Sequence, residues 1–312
     1  GARTLATDID DLGPRACHTL CDTMTRAVPP SSPRPLVSHT HGHATYRFFH
    51  GDCVEVLAAC APASYDVVVT SPPYNLGIAY RSYDDRVPRD RFLAWTGEWL
   101  AAVRRVLHPE GSLFLNVGAK PSDPWVPYDI AQQARAHFVL QNTLHWVKSI
   151  AIDGDDAGAR AGIAGTLAVG HYKPINSPRF VNDCHEFIFH FTPTGATPLD
   201  RLAVGVPYQD ASNVTRWKNA SSGRRCRGNT WFLPYETIQQ RDRDRPHPAT
   251  FPARLPEYCL RLHGLDRVRR VLDPFTGLGS TAVACTALGL SCDGIEIDRT
   301  YLAEAAARVE AQ

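Results

Sequence analysis

Residues 268–298 read VRRVLDPFTGLGSTAVACTALGLSCDGIEID. Val268 to Asp273 has the short apolar pattern of a strand, Gly277 and Gly279 interrupt it, and a helical pattern runs from about 279 to 288. A second strand, Ser291 to Ile297, follows, with a closing helix from about 299 to 310. Strand, glycine turn, helix and strand in this order are the unit of a parallel α/β sheet. The glycines let backbone approach a ligand closely, and the helix N-terminus beyond them favours a negative group such as a carboxylate. Glu296 closes the second strand, near the roughly 20-residue spacing at which an acidic side chain accepts hydrogen bonds from both hydroxyls of a ribose. The expected ligand therefore contains a nucleoside. The turn lacks the third glycine of the dinucleotide fingerprint and has no P-loop lysine, so neither NAD nor ATP phosphates suit it.

The same rhythm appears upstream. Tyr46 to His50 and Tyr65 to Thr70 read as strands around a short helix, Cys53 to Cys60. Phe92, Trp95, Trp99, Leu100, Val103 and Leu107 fall at helical spacing, and Gly111 precedes the strand Ser112 to Val117. A helix near 123–137, strands Phe138 to Lys148 and His185 to Phe191, and a helix near 252–263 complete the pattern, which predicts a doubly wound α/β sheet. Residues 1–44 read as a partly irregular N-terminal extension, 45–192 and 247–312 as two parts of one catalytic domain, and 193–246 as an inserted recognition region rich in turn formers.

Composition narrows the function. Apolar residues make up 44% and charged residues 21%, and no apolar run reaches the roughly 18 residues that span a bilayer, so no membrane role is expected. Nine cysteines without a C-x-x-C pair lead us to expect reduced thiols. Cys17, His18, Cys21, His39, His41 and His43 match no zinc-module spacing, so no metal site is expected. The formal charge is only +1, which confines any nucleic-acid surface to a patch.

Ser71-Pro72-Pro73-Tyr74 follows the strand 65–70, at the carboxyl edge where open α/β sheets bind ligands. Two successive prolines remove two N–H donors and fix φ twice, leaving the Ser71 and Pro72 carbonyls free and rigidly aimed. With the Ser71 hydroxyl they form an acceptor cluster suited to an amino group, and Tyr74 offers a ring on which a planar base stacks.

This tetrapeptide, together with Asp273-Pro274-Phe275-Thr276-Gly277-Leu278-Gly279-Ser280-Thr281, resembles the amino-methyltransferases of DNA, which methylate N4 of cytosine or N6 of adenine. The catalytic motif precedes the cofactor motif, as in the permuted β class, and the resemblance covers about residues 45–312. It implies a Rossmann-like, seven-stranded, mostly parallel sheet and S-adenosyl-L-methionine as cofactor. Asp273, Phe275, Gly277, Gly279, Ser280 and Thr281 are then expected around its methionine part, and Glu296 with Ile297 at the ribose. Asp52, with Cys53 beside it, resembles the acceptor for the cofactor's adenine amine; read alone it is a helix N-cap, and the two roles are compatible. His247, Ala249, Thr250 and Phe251 resemble the segment that holds the methionine carboxylate, and Ser71 also borders the cofactor.

An exocyclic amine shares its lone pair with the ring and is a poor nucleophile. Hydrogen bonds from its two protons to the Ser71 hydroxyl and the Pro72 carbonyl favour a more tetrahedral nitrogen in line with the methyl group. No cysteine follows a proline, so the Pro-Cys nucleophile of C5 methylation is missing. A carbonyl wall does not by itself tell cytosine from adenine; by resemblance, serine in first position leans toward cytosine N4 and aspartate toward adenine N6. The base must be flipped from double-stranded DNA. Residues 201–254 hold nine arginines and Lys218 against Asp210, Glu236, Asp242 and Asp244, interleaved with Trp217, Trp231, Phe232 and Tyr235, and form the expected DNA face. Its candidates are Arg216, Lys218, Arg224, Arg225, Arg227 and Arg241, joined by Lys173, Asn176 and Arg179 from a second segment. A homodimer is left open. The expected setting is the bacterial cytoplasm or nucleoid, with modification in a restriction system, or the nucleus in a eukaryote.

Overall fold

The computed structural model describes residues 32–158, 161–170, 177–208, 214, 223–234 and 250–312. The expected contacts Lys173, Asn176, Arg216, Lys218 and Arg241, the aromatics Trp217 and Tyr235, and the cofactor candidates His247 and Ala249 lie outside the described residues.

In chain order the elements are β1 (Val37–His41), β2 (Ala44–His50), α1 (Cys53–Ala58), β3 (Tyr65–Thr70), α2 (Arg89–Val106), β4 (Leu107–Val117), α3 (Val126–Ala134) and β5 (Val139–Val147). There follow β6 (Ile150–Asp153), α4 (Gly154–Ala157), β7 (Thr166–Val169), β8 (His185–Thr192), β9 (Val206–Pro207), β10 (Arg224–Arg225) and β11 (Thr230–Phe232). The chain closes with α5 (Arg254–His263), β12 (Arg270–Asp273), α6 (Ser280–Leu288), β13 (Ser291–Glu296) and α7 (Arg299–Glu310).

Among the described residues, nine strands form the main sheet in the order β1-β2-β13-β12-β3-β4-β8-β5-β11. The five strands from β2 to β4 are mutually parallel, and β8 runs antiparallel to both β4 and β5. The seven strands β2 to β5 of this order are the expected sheet. β1 and β11 extend it at its two edges.

Side chains alternate across each strand, and the sheet buries both faces. Val67 and Val69 of β3 join the core beneath α5, α6 and α7, with Leu260, Cys285 and Leu302. Val68 joins the opposite core under α1, α2 and α3, with Leu57, Trp99 and Ile130. Each such fully buried valine or leucine contributes about 1.5–3 kcal/mol.

Three features depart from the sequence reading. The last part of the 1–44 extension belongs to the sheet, because Val37–His41 pairs residue for residue with β2. Strand β4 starts at Leu107 rather than Ser112: its pairing with β3 jumps from Tyr65↔Leu107 to Val67↔Ser112. Gly111 makes that jump possible, since a β-carbon there would lie 2.8 Å from the Asp66 carbonyl oxygen. Finally, part of the region assigned to recognition belongs to the core. Trp231 of β11 is buried and packs edge-on against Tyr258, with Val204 and Leu233 in the same cluster. Trp231 is therefore a core residue and not a DNA-facing one.

Candidate active site

The parallel strands deliver their carboxyl ends to one edge, the place where open α/β sheets take ligands. Asp52 follows β2, Ser71 follows β3, Asn116 lies near the end of β4, Pro274 follows β12, and Glu296 ends β13. Because β8 is reversed, its first residues reach the same edge, beside Lys148 just after β5.

One cavity unites most of the expected residues. Asp52, Cys53, Ser71, Pro72, Pro73, Tyr74, Thr250, Phe251, Phe275, Gly277, Ser280, Glu296 and Ile297 all line it. Two motifs some 200 residues apart in sequence thus face a common space. Tyr80, Ser82, Tyr83, Trp95, Asp298 and Tyr301 line it as well and were not anticipated from the sequence.

The acidic groups differ in role. Glu296 Oε2 accepts from the Gly277 N–H at 2.9 Å and Oε1 from the Asp298 N–H at 2.9 Å, so the carboxylate ties β13 to the glycine turn while facing the cavity. Burial raises its proton affinity. Asp52 caps α1 through the Val54 N–H at 2.8 Å and also lines the cavity.

Asp273 is not on the cavity wall. It is 1% exposed and lies beneath the cavity, accepting from the Thr70 and Thr281 hydroxyls, each at 2.7 Å, and from the Phe275 N–H at 3.1 Å. Burial pushes its carboxyl up to about 6 despite these donors. Thr281 is consumed in the same contact. Gly279 takes φ +76° at the start of α6, where a β-carbon would come within 2.9 Å of the Ala305 β-carbon. These three residues shape the turn from below and do not line the cavity.

Helix α6 has no side-chain cap and no acidic residue in its first turn, so its N-terminal dipole is left for an anionic group. The Phe275 ring meets Trp95 and Trp99 edge-on, at centroid distances of 5.6 and 5.3 Å, and holds one wall.

At the tetrapeptide the Tyr74 hydroxyl is engaged in a network that local sequence did not announce. It bonds the Ser71 Oγ, receives the Asn116 Nδ2 at 2.9 Å, and lies 3.4 Å from Glu186 Oε2. Asn116 Nδ2 also donates to Glu186 Oε2 at 2.7 Å, and Lys148 Nζ to Glu186 Oε1 at 3.0 Å. Burial, then the Glu186 charge, push the Tyr74 hydroxyl well above its ordinary value. The signal available in the sequence was a polar residue near the sheet's functional edge in two predicted strands, Asn116 and Glu186.

Among the described DNA-face candidates, Arg179, Arg224 and Arg225 are exposed. Arg227 is partly buried: its Nε donates to the Val204 carbonyl at 2.9 Å and its guanidinium lies over Tyr258. No helix among the described residues is long and apolar enough to cross a membrane.

A family profile described as DNA methylase matches residues 65–307, spanning both motifs. The chain belongs to this family of N6 and N4 DNA methylases. It is a DNA methyltransferase, and enzymes of the family use S-adenosylmethionine. Among curated relatives, the Type II methyltransferase M.HpaI of Haemophilus parainfluenzae is 27% identical over 266 residues, covering 85% of this chain and 74% of the relative. The DNA adenine methyltransferase YhdJ of Escherichia coli K12 is 24% identical over 266 residues, covering 84% and 81%. Among solved structures, the cytosine-N4-specific PvuII DNA methyltransferase shares the methylase fold with a TM-score of 0.56 at 16% identity, over 90% of this chain and 88% of that one.

Proposed function

We propose that this methylase transfers a methyl group from S-adenosylmethionine to N4 of a cytosine flipped out of duplex DNA. The observation that carries the reading is the single cavity lined both by Ser71-Pro72-Pro73-Tyr74 and by Asp52, Phe275 and Glu296. Its chemistry fits the cofactor: Glu296 would hold the ribose hydroxyls, Asp52 the adenine amine, Phe275 and Ile297 the flat faces. The open α6 terminus beside Ser280, with Thr250 and Phe251 near it, would hold the methionine carboxylate. When bound, the cofactor supplies an electrophilic methyl group on a sulfonium.

The chain's own residues do the rest. The Ser71 hydroxyl and the Pro72 carbonyl accept the two amino protons and localise the nitrogen lone pair, and the rigid diproline aims it without reorganisation. The methyl group then moves directly to nitrogen, with no covalent link to the protein. Stacking on Tyr74 would hold the base edge to edge with the acceptors, offsetting the few kcal/mol of unstacking. Arg179, Arg224 and Arg225, with the basic residues of 201–254 and Lys173, would bear on DNA phosphates, and 193–246 would supply part of target recognition.

Cytosine rests on Ser71 at the head of the tetrapeptide. Adenine N6 is the second reading, favoured by the similarity to YhdJ. Incubation with methyl-labelled cofactor and duplex DNA, digestion to nucleosides and mass identification separates them: N4-methyl-2′-deoxycytidine is expected, and N6-methyl-2′-deoxyadenosine would replace the target.

A further inference from the structure

We propose that Glu186 is the terminal acceptor of the proton released in methyl transfer, reached from the substrate amine through the Ser71 and Tyr74 hydroxyls. The inference rests on the amino-group reading above and extends it to the step that reading leaves open. Methylation puts a fourth substituent and a positive charge on a nitrogen that still carries two hydrogens. One of them must leave.

The hydrogen bonds connect Ser71 to Glu186 through Tyr74. Lys148 Nζ and Asn116 Nδ2 donate to the two oxygens of Glu186, at 3.0 and 2.7 Å, which fixes the carboxylate and leaves Oε2 facing the Tyr74 hydroxyl at 3.4 Å. Asn116 Nδ2 also donates to the Tyr74 oxygen at 2.9 Å. The Tyr74 hydroxyl has two acceptors, the Asn116 backbone carbonyl at 3.1 Å and Glu186 Oε2 at 3.4 Å, and only the second can take up a proton. Either hydroxyl can donate in the Ser71–Tyr74 contact, and the relay takes Ser71 as the donor. With Ser71 as donor to Tyr74, its oxygen, which also lies 3.4 Å from Asn116 Nδ2, keeps a lone pair for the amine. Tyr74 itself is a poor end point, because burial and Glu186 disfavour a tyrosinate.

The transfer balances as three linked moves. The N–H bond of the methylated amine breaks and its proton passes to Ser71 Oγ; the Ser71 proton passes to the Tyr74 oxygen; the Tyr74 proton passes to Glu186 Oε2. The substrate becomes a neutral methylamino group, both hydroxyls are restored, and the carboxylate becomes a carboxylic acid. The Glu186 side chain is 15% exposed, so the proton then leaves to solvent. The charged and titratable groups around it are Lys148 after β5, Tyr74 after β3, and Tyr80 at longer range.

The site is also built by what is missing. A β-carbon at Gly118 would lie 3.1 Å from Glu186 Cδ and 3.2 Å from Tyr74 Cε2, so a bare backbone position lets the two approach.

The test is single-turnover methyl transfer by the full chain, with saturating cofactor and duplex DNA, as a function of pH. Glu186→Gln keeps the shape and an acceptor oxygen but not the basicity. We expect a rate loss of about 100-fold or more at neutral pH, the usual range for a lost general base. Cofactor and DNA affinity should stay within about threefold, and the acidic limb of the pH profile should vanish. Tyr74→Phe keeps the ring and cuts the relay, and it should lose a similar factor. The double variant should lose little more than either single one, since both act on one path. Losses that multiply, an unaltered pH profile in Glu186→Gln, or affinity falling as far as rate would each overturn the relay. An unmodified enzyme that methylates no DNA would overturn the reading on which it rests, and the relay with it.

Discussion

Replacing Asp85 by alanine removes a carboxylate that is 1% exposed and accepts three backbone N–H groups, those of Asn75 at 2.8 Å, Leu76 at 3.0 Å and Ile78 at 2.9 Å. These bonds begin directly after Ser71-Pro72-Pro73-Tyr74 and fold the segment that brings Tyr80, Ser82 and Tyr83 to the cavity wall. Asn75 sits at φ +59°, a conformation that a non-glycine residue holds only when its surroundings enforce it. Here its own side chain also donates to the Asp85 and Val87 carbonyls. Hydrogen bonds to a charged group are worth about 1.5–3 kcal/mol each, but water can reach the freed amides once the segment loosens, so we take a net loss of about 2–4 kcal/mol for the three. That energy belongs to ordering of the segment. If cofactor binding requires the ordered form, affinity falls by about 30- to 700-fold, at a factor of ten per 1.4 kcal/mol. Calorimetry of S-adenosylmethionine binding to Asp85→Ala and the parent measures this, with urea unfolding run in parallel. A binding constant within threefold of the parent would refute the reasoning, since the segment would then be held by its other contacts.

Further outcomes follow from the same geometry. Glu296→Gln should weaken cofactor binding by about 10- to 100-fold by removing charge from hydrogen bonds to the ribose, while circular dichroism stays unchanged. His190 and His263 share the buried Ser112 hydroxyl, each at 2.9 Å, and burial depresses them to about 3 and about 4. The unfolded chain binds those protons first, so stability is complete above about pH 6.5 and falls as pH drops toward 4, by about 2 kcal/mol per histidine at pH 5. Asp273, raised to about 6, works in the opposite sense over the same window and returns about 1.4 kcal/mol at pH 5. Urea unfolding at pH 7 and pH 5 should therefore show a net loss of about 2–3 kcal/mol, with a shallower slope in His190→Gln. Gly279→Ala should destabilise by about 1–3 kcal/mol, because φ +76° disfavours a side chain and the new methyl group meets Ala305; an unchanged urea midpoint would contradict the assigned packing.

Elements whose signals are local could be read from the amino-acid order alone. Residues 268–298 announced strand, turn, helix and strand because apolar period and glycine placement are properties of a short stretch, and β12, α6 and β13 stand within two or three residues of that reading. The same holds for Asp52, Ser71 and Glu296, each at the end of a recognisable strand. What only the tertiary structure decided depends on which strands become neighbours. Asp273 looked like a cavity residue until β12 settled beside β3 and its carboxylate met Thr70, 203 positions away. Trp231 looked like a DNA contact until β11 paired with β5 and buried it. Glu186 stood out only as a polar residue in a predicted strand: it reaches Tyr74, 112 residues earlier, because β8 runs backwards between β4 and β5 and delivers its first residues to the edge where the parallel strands end. Strand order is a choice among long-range pairings of similar local propensity, and the burial of both sheet faces makes it.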